Sequence, residues 1–155
     1  MMDELRALYQ EVILDHGKNP RNCRAAEDAN CHAQGHNPLC GDSVVIHLTV
    51  DEGGVIRDAA FEGKGCAISI ASASLMTEVL KGKTREEAEK IFNYFHGICT
   101  GNEDLPEELE EDEDITDRLQ VLSGVREFPM RVKCATLAWH TMSAAMQGKD
   151  EISTE

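Results

Sequence analysis

The chain is 155 residues long, 41% hydrophobic and only 5% aromatic, so it can bury a core built from Leu, Ile, Val, Ala and Met rather than from rings. Its formal net charge of −14 argues against nucleic acid as a partner, because phosphate binding needs clustered Lys and Arg. No stretch approaches the roughly 20 apolar residues of a membrane-spanning helix, so no membrane partner is expected either.

Residues 4–16 place Leu5, Leu8, Tyr9, Val12 and Ile13 on one helical face. The opening MMDELRALYQ has no basic segment followed by an apolar run, so a cytoplasmic location is expected. Gly17 and Asn19-Pro20 end this helix. Residues 21–39 are polar and rich in Asn, His and Ala, and carry no clear periodicity. Ser43–Val50 and Val55–Glu62 read as two strands joined by the turn Asp51-Glu52-Gly53-Gly54, the pattern of an antiparallel hairpin. Gly63-Lys64-Gly65 breaks the chain before a helix over about Ala67–Lys81, with Gly82 placed to cap its end. Thr84 and Glu87 form a capping box for a helix over about 85–99, with Ala88, Ile91, Phe92 and Phe95 facing inward.

Residues 103–117 then hold ten acids and no base, and without them 19 acids stand against 15 bases. The charge therefore belongs to one segment, which reads as a solvated loop or as a docking element for a basic surface. A short helix near 117–123 ends at Gly124, Phe128-Pro129 reads as extended, and a last helix runs over about Ala135–Gln147. The expected architecture is α+β: a small antiparallel β-sheet with helices packed on one face. It forms a single domain over residues 1–150, with an acidic insertion at about 100–124 and a polar tail at 151–155.

Six cysteines in a cytosolic chain read as metal ligands or reactive thiols before they read as disulfides. Cys40 lies in Asn37-Pro38-Leu39-Cys40-Gly41-Asp42, where a turn can aim Cys40 and Asp42 the same way. Taken alone, those residues read first as an ordinary turn before a strand. Cys66 stands where a helix begins, so first-turn N–H groups and the helix dipole favour its thiolate. Cys134 is placed just before the last helix beside Arg131 and Lys133, with the same consequence. Cys66 also fits a buried structural cysteine, and Cys134 a half-buried residue at a helix N-terminus. Together, Cys40, Asp42, Cys66 and Cys134 make a workable tetrahedral zinc set. A rival set of Cys31, His32, His36 and Cys40 has spacings that match no compact pattern. Cys23 and Cys99 read as incidental thiols, and His16, His47, His96 and His140 as packing or surface residues.

Three motifs in order, N-P-x-C-G-D, G-x-G-C-x-I-S-x-A-S-x-S-x-M and R-V-K-C-A-T-L-A-W, resemble the SufU/IscU family of iron–sulfur cluster assembly proteins. The N-terminal L-Y-x-x-V-I-L-D-H-x-x-x-P-R-N resembles it too, and the likeness runs to about residue 147. Lys133 stands where IscU-type proteins carry His, and the segment around 100–124 fills the place of the SufU insertion, so the chain looks SufU-like. The L-P-P-V-K segment by which IscU proteins engage their chaperone is replaced by Phe128-Pro129-Met130-Arg131-Val132-Lys133.

The resemblance implies zinc on Cys40, Asp42, Cys66 and Cys134, and a SufS-type PLP-dependent cysteine desulfurase as partner, with downstream Suf assembly proteins. It implies that a partner histidine replaces one zinc ligand on docking and frees Cys40 to accept persulfide sulfur. The chain would then be a sulfurtransferase-like acceptor rather than a stand-alone enzyme. Two alternatives remain open: a scaffold that builds a [2Fe–2S] cluster, or holds iron, on the same ligands, and a structural zinc module that binds a protein.

Overall fold

In the computed structural model, residues 2–26, 29–38, 41–100, 113–148 and 151–153 are described. The elements run α1 (Met2–Lys18), β1 (Cys31–Asn37), β2 (Asp42–Val50), β3 (Ile56–Lys64), α2 (Ala67–Leu80), α3 (Arg85–Thr100), α4 (Glu113–Gln120), a 3₁₀ turn (Ser123–Glu127), α5 (Pro129–Met146) and β4 (Glu151–Ser153). The sheet order is β3-β2-β1-β4; β1, β2 and β3 are antiparallel, and β4 joins β1 in parallel. Helices α2 and α5 cover one face of the sheet, and α1 packs against α2. The architecture is the expected α+β. Among the described residues no helix is long and apolar enough to cross a membrane.

Strict alternation builds the β2 layer: Val44, Ile46, Leu48 and Val50 are buried, while Val45, His47 and Thr49 are partly exposed. The turn after it is tied by Asp51, whose Oδ1 accepts the N–H groups of Gly53 and Val55, each at 2.9 Å. The capping box forms as read: the Glu87 N–H donates to Thr84 Oγ1 at 3.1 Å, and the Thr84 N–H to Glu87 Oε1 at 3.2 Å. Gly82 follows α2 at φ +84°, a left-handed angle that suits glycine. On α1, Ile13 packs against the core; the side chains of Leu5, Leu8 and Tyr9 lie outside those described.

Three departures from the sequence reading matter. First, β1 occupies the stretch that carried no pattern. Its inward residues are Ala33, Gly35 and Asn37. They are small because α5 lies close above them: a β-carbon on Gly35 would overlap Thr141 Oγ1 and come within 3.1 Å of Leu137. Second, part of the polar tail returns as β4, meeting the open hydrogen-bonding edge of β1 at Gln34–His36.

Third, the last helix begins at Pro129, not near Ala135. Proline is well suited to a first helical turn, where its missing N–H has no intrahelical partner to lose. Phe128-Pro129 is therefore a helix start rather than an extended segment. Cys134 consequently sits beyond the first turn, and the stabilisation offered by unpaired N–H groups does not apply to it. The short helix also falls earlier than read, at Glu113–Gln120. Most of the acidic run lies outside the described residues.

Helices α2 and α5 are locked by one polar contact in an apolar seam. Ser72 Oγ donates to the Ala135 carbonyl and accepts the Trp139 indole N–H at 3.1 Å. Trp139 is buried and stacks on Phe95, with ring centroids 4.7 Å apart. Ser72→Ala leaves the indole N–H without a partner. It is expected to lower unfolding free energy by about 1–3 kcal/mol, read by urea denaturation.

His16, His47 and His140 are each held below the usual imidazole pKa, chiefly by burial, and additionally by Arg21, His32 and His96 respectively. The unfolded chain takes up these protons near pH 6.5, whereas the folded chain takes them up only at lower pH. Their contribution is therefore complete above that value and is lost as pH falls below it. The Tm of metal-free protein is expected to drop between about pH 7.5 and about pH 5.5, and His140→Gln to flatten part of that slope.

Candidate metal centre

Asp42 opens β2 directly opposite Asn37, the last residue of β1. Strand alternation turns its side chain to the same buried face as Val44 and Ile46. A carboxylate thus enters the protein 2% exposed. Gly41, at φ +70°, supplies the left-handed turn that leads into the strand.

Cys66 is the N-cap of α2, and its backbone N–H donates to Asp42 Oδ1 at 2.9 Å. The approach is close enough that a β-carbon on Gly65 would overlap the same oxygen, so glycine there is a requirement of space. Cys134, in α5, is fully buried. The Cys66 and Cys134 sulfurs and a carboxylate oxygen of Asp42 lie within 4.8 Å of one another.

The donor chemistry fits a thiophilic divalent ion. Tetrahedral zinc bonds sulfur at about 2.3 Å and carboxylate oxygen at about 2.0 Å, which sets such donors roughly 3.5–3.8 Å apart. The electrostatics point the same way. Asp42 accepts only the Cys66 N–H and an Asn37 N–H, and it has no ion-pair partner among the described residues. Burying an unpaired carboxylate beside two sulfurs is costly, and a cation held by all three removes the cost.

Asn37 completes the arrangement. It is fully buried, and its Nδ2 lies 3.4 Å from Asp42 Oδ2 and 3.6 Å from Cys134 Sγ, while its Oδ1 has no hydrogen-bond partner among the described residues. An unmet buried acceptor costs about 1–3 kcal/mol. The sequence reading gave Asn37 no role; its only signal was its place at the head of N-P-x-C-G-D.

Of the four sequence-read ligands, Asp42, Cys66 and Cys134 are brought together. Cys40 lies outside the described residues, in the connection between Asn37 and Asp42. The rival set does not assemble among the described residues. His32 is exposed on the other face of the sheet, with Nδ1 2.7 Å from Nδ1 of His47. Cys23 is exposed, and Cys99 is buried within the apolar core. His96 and His140 face each other across α3 and α5, with ring centroids 6.0 Å apart.

Residues 8–135 match the family described as NifU-like N terminal domain. The chain is 41% identical over 138 residues to the zinc-dependent sulfurtransferase SufU of Bacillus subtilis (strain 168), spanning 89% of this chain and 88% of that protein. It is 37% identical over 147 residues to the iron–sulfur cluster assembly scaffold protein IscU of Streptococcus pyogenes serotype M1, spanning 94% and 87%. Its fold superposes with a TM-score of 0.76 on a solved structure from Fervidobacterium islandicum AW-1, named as an iron–sulfur cluster assembly scaffold for the SUF system. There the identity is 34%, and the match covers 88% of this chain and 94% of the other. The chain belongs to the SufU/IscU family, which is built on the NifU-like N-terminal domain.

Proposed function

We propose that this protein serves iron–sulfur cluster assembly as a zinc-dependent sulfur acceptor. It takes persulfide sulfur from a SufS-type cysteine desulfurase onto Cys40, with Cys40, Asp42, Cys66 and Cys134 as the zinc ligands. The observation that carries the reading is the cluster of Asp42, Cys66 and Cys134, a buried carboxylate and two sulfurs with no basic partner for Asp42 among the described residues. The likeness to a SufU named as a zinc-dependent sulfurtransferase supports it. Lys133 supports it as well, standing where IscU-type proteins carry a histidine.

In the transfer, the Cys40 thiolate attacks the outer sulfur of the desulfurase persulfide. A new S–S bond forms on Cys40, the old one breaks, and the desulfurase cysteine leaves as thiolate, so charge and atoms balance. Zinc, when bound, keeps its cysteine ligands ionised at neutral pH. Cys134 is too deeply buried to meet an incoming persulfide, which makes it a retained ligand. Cys66 is half-buried at the N-terminus of α2. Asp42 is fixed from two sides by the Cys66 and Asn37 N–H groups.

Scaffold names among the relatives favour a second reading, in which the same ligands hold a [2Fe–2S] cluster. Metal analysis and the visible spectrum separate the two: colourless zinc protein against brown protein with iron and sulfide.

Cys40→Ser is expected to abolish both persulfide formation on the chain and its stimulation of the desulfurase. Efficient persulfide formation on that variant contradicts the assignment. Zinc held at about 1,000 times its Kd is expected to raise unfolding free energy by about 4 kcal/mol. Asp42→Ala should shrink that gain, as measured by denaturation with and without the metal.

A further inference from the structure

Asn37 is a costly residue in its place. Its side chain is wholly buried, and its Oδ1 meets no donor among the described residues. A leucine, with the same number of side-chain heavy atoms and the same branching, would remove that unmet acceptor. The amide orientation is nevertheless set by its neighbours. A carboxylate accepts and does not donate, and so does a thiolate, so the NH₂ end must face Asp42 and Cys134. Nδ2 has two N–H groups and two such acceptors, at 3.4 Å and 3.6 Å. The strand register makes this possible, because Asn37 and Asp42 are direct cross-strand partners on the buried face.

We propose that Asn37 is a positioning residue of the metal centre: its amide bridges the Asp42 carboxylate and the Cys134 sulfur and holds both in place for the ion. The inference rests on the zinc-site reading above. The N–H bond to sulfur draws charge from the Cys134 thiolate. This lowers its nucleophilicity and marks it as a holding ligand, while sulfur chemistry is left to another thiolate. The N–H bond to Asp42 Oδ2, set against the Cys66 N–H on Oδ1, fixes the plane of the carboxylate.

The test is zinc affinity by chelator competition, together with the absorption spectrum of the cobalt(II)-loaded protein, for wild type, Asn37→Leu and Asn37→Ser. Asn37→Leu is expected to bind zinc about 10–100-fold more weakly. Its cobalt–thiolate charge-transfer band should move to longer wavelength, because the sulfur has lost a donor. Asn37→Ser, which keeps one short hydroxyl donor, should fall between. An Asn37→Leu affinity within about twofold of wild type, with an unmoved band, overturns the proposal.

A readout on wild type covers the case in which the leucine variant does not fold. In cadmium-loaded protein the Asn37 amide protons should show scalar coupling to the metal nucleus through the N–H···S bond, and absence of that coupling also overturns it. Wild type that binds neither zinc nor cobalt defeats the metal-site reading itself, and is distinguishable from wild type that binds while the leucine variant binds equally well.

Discussion

A carboxylate buried against two cysteine sulfurs, with no positive partner among the described residues, is the constraint around which this molecule is arranged. Asp42 carries a group that water solvates far better than protein does, yet it is 2% exposed. Two N–H groups meet its oxygens, one from the Cys66 backbone and one from the Asn37 side chain. Hydrogen bonds orient an anion but do not neutralise it. One carboxylate and two sulfurs make a donor set that suits a thiophilic cation.

The fold supplies the donors from three places that only tertiary structure joins. Asp42 comes from the start of β2, Cys66 from the junction of β3 and α2, and Cys134 from α5. Their spacing depends on how α2 and α5 sit on the sheet. Small residues set those distances: Gly35 lets α5 down onto β1, and Gly65 lets the β3–α2 junction reach the carboxylate. Ser72 then pins α2 to α5 through Ala135 and Trp139. The three donors are thus held by packed secondary structure.

Much of this was legible in the residues, for identifiable reasons. The hairpin of β2 and β3 follows from β-branched alternation around an Asp-Glu-Gly-Gly turn. Cys66 at a helix start follows from the Gly-Lys-Gly break before a run of small helix formers. The strand β1 was not legible, because its inward positions are Ala, Gly and Asn. Close helix packing replaces the usual hydrophobic alternation with small residues, which look like loop. The start of α5 was misread because proline at a first helical turn and proline at a break are locally identical. Cys134 does lie beside Asp42 and Cys66, but from within α5 and not at the helix start the sequence suggested. Asn37 could not be read as part of the centre at all, since its role exists only through the register that sets it opposite Asp42.

The central claim is that Cys40, Asp42, Cys66 and Cys134 hold one zinc ion. X-ray absorption at the metal edge of untagged protein as isolated tests it most directly. The account predicts a zinc edge with a first shell of three sulfurs at about 2.3 Å and one oxygen at about 2.0 Å. An iron edge with sulfide ligands and a neighbouring iron, or a zinc shell without sulfur, would contradict it.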